Sequence, residues 1–115
     1  MYISKYTPYG LKCIRELPKN VRNALKKEFE TIIHKDPIGC SEELTGPLAD
    51  FRSYHFLNYR VVYRVFEDLN AIAVVGVGEK DANHQAVIYK KLETLAKTGE
   101  LADTVLRTIR LFSTP

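Results

Sequence analysis

Residues Leu44–Phe66 read LTGPLADFRSYHFLNYRVVYRVF. Polar and apolar residues alternate on either side of Leu57-Asn58, the pattern of two strands that each turn one face to a core and meet at a short turn. The stretch carries Arg52, His55, Arg60 and Arg64 against one acid, Asp50. Cations standing off a small twisted sheet suit a polyanion, and RNA is the natural candidate. Which cations share a face depends on the turn. A turn on Leu57-Asn58 alone sets His55 opposite Arg60 and Arg52 opposite Tyr63. A three-residue turn over Phe56–Asn58 sets Tyr54 opposite Arg60 and Arg52 opposite Val62, so that Arg52 and Arg60 share a face. The sequence is compatible with both registers, and Asn58 tolerates the positive φ that either turn wants.

Upstream of this hairpin the chain opens with a short strand, Tyr2–Tyr6. Thr7-Pro8 then forms a helix start, an N-cap followed by proline at the first helical position. Leu11, Ile14 and Leu17 follow at spacing three until Pro18 interrupts. A second helix from Pro18 places Val21, Leu25, Phe29, Ile32 and Ile33 on one stripe, with Lys19, Arg22, Lys26 and Lys27 outside it. Asp36-Pro37 stops that helix, because the residue before proline is pushed out of the helical region. A loop follows over 38–47, then strands at about 48–56, 59–67 and 71–78. The last strand, Ala71–Val77, is apolar on both faces, as a covered central strand would be. Asp68-Leu69-Asn70 turns into it. A third helix spans about Asn83–Lys97, and Gly99 suits its left-handed C-cap. Leu101, Val105, Ile109 and Phe112 repeat at helical spacing, which predicts a terminal helix serving the core or a dimer contact. The order β-α-α-β-β-β-α-α is α+β: an N-terminal strand and a helical hairpin packed on a small, mainly antiparallel sheet.

The bulk numbers narrow the function classes. At 115 residues the chain suits one domain over 1–115, with a C-terminal helical extension at about 100–112. A net charge of +3 does not describe a general nucleic-acid coat, so any polyanion site is local. No apolar run approaches the roughly 20 residues that span a bilayer, and no signal peptide is read at Met1–Lys5, so a cytoplasmic location with no membrane partner is expected. Cys13 and Cys40 are too few and too isolated for a metal site or a disulfide scaffold, and read as small, semi-buried residues. His34 and His84 lack ligand-spaced partners. Neither a metal nor a cofactor is expected.

Several motifs together resemble one family. Thr7-Pro8, Leu17-Pro18-Lys19, Val21-Arg22 and Asp36-Pro37 are similar to the opening of the RelE/ParE superfamily of type II toxin–antitoxin toxins. Leu44-Thr45-Gly46 matches its Leu-x-Gly turn, and Phe51–Val65 aligns without a gap on its sheet core of the type LRSLRVGDYRVVYRV. Gly78-Glu79-Lys80 and Val87-Ile88-Tyr89 stand for its closing Gly-cation-cation and Val-Tyr. The resemblance covers about residues 2–90. It departs at Glu79, an acid where a cation is usual, in a longer spacing to Tyr89, and in two helical segments beyond.

The resemblance implies a toxin held by a cognate antitoxin, as a dimer or a hetero-oligomer with it. In the RelE-like branch it implies a metal-independent endoribonuclease that cuts mRNA on the ribosome through attack of a 2′-hydroxyl on the adjacent phosphate. That chemistry needs a base, cations for the phosphorane, and an acid for the leaving 5′-oxygen. By position Arg60 is then the phosphate clamp, Lys80 the group assisting the leaving oxygen, Arg52 a basic strand residue facing RNA, His55 a proton-transfer group and Tyr89 a stacking or orienting ring. Arg64, Tyr54 and Lys26 are the further candidates for RNA contact. Each has a plainer alternative: Arg64 on a solvated strand face, Tyr54 as a packed sheet aromatic, Lys26 on a solvated helix face. The rival branch is a ParE-like toxin, a non-nuclease that inhibits DNA gyrase, and a third reading is a degenerate homologue kept as a binding module.

Overall fold

The structure, a computed structural model, describes residues 1–80 and 87–113. Strand β1 (Ile3–Tyr6) leads into helix α1 (Pro8–Glu16), and helix α2 (Lys19–Glu28) follows. The Thr7 hydroxyl accepts from the Gly10 N–H at 3.1 Å, so the Thr-Pro start predicted for α1 is the cap observed. Helix α2 runs on as a π turn over Phe29–Ile33. That wider turn adds a residue to the helical repeat, so Ile33 is fully buried while Ile32, expected on the same stripe, is 39% exposed. Beyond it come β2 (Glu42–Glu43), β3 (Arg52–Phe56), β4 (Tyr59–Phe66) and β5 (Ala71–Glu79), then α3 (Val87–Lys97) and α4 (Glu100–Ser113). The strand expected from about residue 48 starts at Arg52. Before it the chain makes a 3₁₀ turn over Gly46–Leu48, where Gly46 has φ 62° and Pro47 offers no N–H to a ladder. The third helix was expected from Asn83; its start and His84 lie outside the described residues.

The five strands lie in the order β1-β5-β4-β3-β2, with β1 parallel to β5 and the other pairs antiparallel. This is the α+β architecture expected. The all-apolar β5 is interior, as its composition predicted, and Ala71–Val75 are fully buried. Both faces of the sheet are covered. On the first face Cys13, Leu17, Leu25, Phe29 and Ile33 pack on Tyr54, Val61, Tyr63, Ile72 and Val74. On the second, Ile88, Leu92, Leu101, Val105 and Ile109 pack on Val62, Ala73 and Val75. Leu101, Val105 and Ile109 of the terminal stripe therefore serve this chain's own core. Among the described residues no helix is long and apolar enough to cross a membrane.

One irregularity decides what stands at the far end of the sheet. Val62 pairs with Gly76 and Tyr63 with Val74, which leaves Val75 extra on β5 as a bulge. Alternation is thereby reset: Val75 belongs to the second core and Val77 to the first, so Gly76 and Gly78 fall on the second face. A Cβ at Gly78 would lie 2.4 Å from Ile88 Cγ2. Only glycine lets α3 sit this close to the strand.

The central hairpin turns on Leu57-Asn58 alone: His55 pairs with Arg60 and Arg52 with Tyr63. The positive φ falls on Leu57, at 53°, and not on Asn58 as the sequence suggested. A branched-at-γ side chain there is disfavoured by roughly 1–2 kcal/mol in the left-handed region. Leu57 is also 76% exposed and contributes little packing. Leu57→Gly is therefore expected to stabilise the fold by up to about 1 kcal/mol, after the entropy cost of glycine. A thermal melt reads this as a rise of a few degrees, and an unchanged or lower midpoint would count against the strain.

Candidate active site on the second sheet face

Arg60 lies on the second face between two cross-strand neighbours, His55 on β3 and Gly78 on β5. It is 8% exposed, and its Nη1 donates to the Tyr59 carbonyl at 2.9 Å. His55 stands at the open edge, its side chain half exposed. Its Nε2 is 3.7 Å from Glu42 Oε2 on β2. Burial pulls the His55 pKa below its ordinary value; Arg60 and, more weakly, Lys80 pull the same way, while Glu42 opposes them. His55 is accordingly neutral at pH 7, with two cations near enough to act on it.

Lys80 reaches this face through the bulge. Its N–H donates to the Asn58 carbonyl at 2.7 Å, which fixes the end of β5 against the hairpin turn. With the alternation reset, Lys80 follows Gly78 on the second face and Glu79 points to the first. Tyr89, on α3, also comes to the second face. Its hydroxyl, however, lies 2.7 Å from Ser53 Oγ, and Ser53 is 2% exposed. The ring packs on the second core. Tyr89 thus ties α3 to β3.

Ser53 was missed by sequence reasoning, although it lies inside the block that resembles the family core. A serine within a strand announces little until its partner is known. The pair is expected to show a coupling of about 1 kcal/mol in a double-mutant cycle of Ser53→Ala and Tyr89→Phe, read by urea denaturation. Additive losses would mean that the hydroxyls do not support each other.

The other candidates go elsewhere. Arg52 is on the first face, where its Nε donates to Ser41 Oγ at 2.7 Å and its Nη2 to the carbonyls of Ile38 and Ser41 at 3.1 and 3.0 Å. Its Nη1 also meets Glu43 Oε1 at 3.5 Å. It clamps the 38–43 loop and does not join Arg60; the register that would have paired them is not the one formed. Tyr54, also on the first face, is 7% exposed and donates to Glu28 Oε1 at 2.6 Å. That leaves it no surface for a base. Arg64 lies over the Phe66 ring at 5.0 Å. Lys26 lines a cleft of about 600 Å³ between β1, α1 and α2, with Arg22 beside it and Ile3, Tyr6 and Phe29 within. Three of the five residues expected to do chemistry, His55, Arg60 and Lys80, therefore come together at one end of the second face.

Residues 6–84 match the sequence model of the ParE toxin of the type II toxin–antitoxin system parDE. The chain belongs to that family and is a toxin of the RelE/ParE superfamily. No curated protein matches it. Among solved structures, the intact RelBE toxin–antitoxin complex of E. coli is similar at 26% identity and TM-score 0.59, covering 70% of this chain and 99% of that one. The toxin–antitoxin complex RelBE2 of Mycobacterium tuberculosis shares the fold at TM-score 0.64 with 19% identity, over 68% of this chain and 96% of that one. The isolated RelE toxin of E. coli, at 24% identity and TM-score 0.59, covers 82% and 97% respectively. Residues 100–113, helix α4, lie beyond the segment that the family model matches.

Proposed function

We propose that this toxin is a ribosome-dependent mRNA endoribonuclease. The observation that supports it most is the grouping of a neutral His55 with Arg60 and Lys80 on one end of the second face. Neutral His55 takes the 2′-hydroxyl proton, and the 2′-oxygen attacks the adjacent phosphorus. Arg60 stabilises the charge on the phosphorane, and the Lys80 ammonium gives its proton to the departing 5′-oxygen. The products are a 2′,3′-cyclic phosphate and a 5′-hydroxyl. Glu42 then faces the imidazolium that His55 has become. DNA, lacking the nucleophile, is spared. The partner in this reading is a cognate antitoxin whose acidic, amphipathic segment folds on binding, with the cleft rimmed by Arg22 and Lys26 as its seat.

The rival reading is a ParE-like inhibitor of DNA gyrase. It draws on the ParE identity of the matched family and on Glu79, an acid where RelE-like members carry a cation. The deciding experiment is expression without an antitoxin, mapping mRNA 5′ ends and gyrase-linked DNA breaks in the same cells. The expected result is growth arrest with codon-phased mRNA cuts. Arrest with intact mRNA and double-strand breaks would overturn the nuclease reading. In single-turnover assays on programmed ribosomes, the cleavage rate is expected to rise with pH through a group titrating below the ordinary histidine value of about 6.5. The sign follows from the base: only neutral His55 accepts the proton, so the rate falls as acid charges it. His55→Ala should abolish that limb of the profile.

A further inference from the structure

A second cavity, of about 300 Å³, opens between α1 and the end of the β4–β5 pair. It lies around the strand end from Arg60. Gly78 lines it and also pairs with Arg60, and Glu79 at its rim is the residue before Lys80. Its aromatic walls are Tyr9 and Tyr59, its apolar lining includes Val77 and Ile88, and its carboxylates are Glu16 and Glu79. Glu16 is 4.0 Å from the Lys12 ammonium. Among the described residues Glu79 makes no ion pair. Burial, followed by Cys13 and Glu16, pushes the Tyr9 phenol up to about 12, so it stays a neutral hydrogen-bonding group.

This chemistry selects a ligand. Lys12 also lines the cavity, beside Glu16, so the lining sets two carboxylates against one ammonium, a net negative charge that disfavours a phosphate. Aromatic walls accept the face of a planar heterocycle, as in single-strand RNA recognition. Carboxylate oxygens accept N–H and cannot donate, and Glu or Asp accepts from an exocyclic amine. Adenine, cytosine and guanine carry such an amine. Uracil has no exocyclic amine, and its one edge donor, N3–H, sits between two carbonyl oxygens that meet the carboxylate with repulsion. The volume sits at the lower end for ligand pockets, ~300 Å³, and suits a single base.

We propose that this cavity receives the base of a nucleotide flanking the scissile phosphate and prefers an amino-bearing base to uracil, with Glu79 as the specificity-determining residue. The inference rests on the nuclease reading for its biological meaning, but the binding itself does not. Glu79 is the chain's departure from the usual cation, and the departure here has a use in base readout.

The test has two arms. In the first, the full-length protein is titrated with adenosine, cytidine and uridine, following backbone amide shifts of Val77 and Gly78 by NMR. Adenosine and cytidine should bind at least about fivefold more tightly than uridine, the worth of roughly one hydrogen bond. Glu79→Gln, whose amide also donates, should close that gap. Equal binding of all three, or no shift at these residues, overturns the proposal. In the second arm, cuts on programmed ribosomes are sorted by flanking base. Glu79→Gln should raise uracil-flanked cuts about fivefold relative to the others; unchanged preference overturns the proposal. Absence of any cutting by the natural chain refutes the nuclease reading and leaves the first arm to judge the cavity.

Discussion

Gly10→Ala is expected to destabilise the protein by about 3 kcal/mol, the upper end of overpacking losses. For a domain of this size that corresponds to a fall of about 10–20 °C in Tm. The reason is local and rigid. A Cβ on Gly10 would lie 2.3 Å from the Val74 carbonyl oxygen and 3.1 Å from its carbon. That oxygen belongs to the interior strand β5 and accepts from the Thr7 N–H at 3.1 Å. The obstacle is backbone, which cannot swing aside as a side-chain tip would. The same carbonyl accepts from the Thr7 hydroxyl at 3.4 Å, and that hydroxyl caps the Gly10 N–H. Helix α1, strand β1 and strand β5 thus meet at one oxygen, and lifting α1 breaks the cap as well as the packing. Thr7→Ala alone removes the cap and the hydroxyl's long bond to Val74 but keeps the Thr7 N–H bond, and is expected to cost about 1 kcal/mol. The double variant should fall short of the sum, because the first change already separates the partners of the second. Urea denaturation of the three variants reads all of this. A Gly10→Ala protein within 0.5 kcal/mol of the natural chain would mean that α1 shifts freely over β5, which the two shared bonds argue against.

How much of this was legible beforehand varies with the range of the interaction that fixes it. The Thr7 cap and the interior position of β5 are local matters of residue type and periodicity, and both were read correctly. The hairpin register stayed open between the two alternatives, because a two-residue and a three-residue turn satisfy the same alternation. What distinguishes them is that Leu57 accepts a positive φ, against its own preference, where the family pattern that it resembles has glycine. Arg52 misled for a different reason. Its charge and strand position match a nucleic-acid contact, but the carbonyls of Ile38 and Ser41 claim it, and a loop that returns to a strand leaves no periodic trace. Lys80 reaches the face of Arg60 only because Val75 bulges, and the Val74-Val75-Gly76 run signals a bulge faintly at best. The pairing of Ser53 with Tyr89 joins residues 36 positions apart, beyond any spacing rule.

The largest functional effect is expected at Arg60. In the nuclease reading, Arg60→Ala removes the cation that meets the phosphorane, and loss of one such preorganised donor typically lowers the rate ~10²–10³-fold, or about 2.7–4 kcal/mol. Arg60→Lys should recover only part of this, since a single ammonium restores charge but not the planar fork. Arg52→Ala is the matching control on the opposite face. It frees the carbonyls of Ile38 and Ser41 and the Ser41 hydroxyl from a charged donor, so it should cost stability, about 2 kcal/mol, and leave single-turnover cleavage near the natural rate below its melting range. The sheet itself thus predicts opposite phenotypes for two arginines eight residues apart in sequence: one folded and silent, one active and fragile. Toxicity assays alone would confuse them, because a fragile toxin is also a weak one; denaturation and single-turnover cleavage measured on both variants separate the two. Equal loss of cleavage in both, at full folding, would place RNA across both faces of the sheet and remove the assignment of the second face. Undiminished growth arrest by Arg60→Ala, with mRNA intact, would instead make the arginine's burial its only role, and gyrase the target.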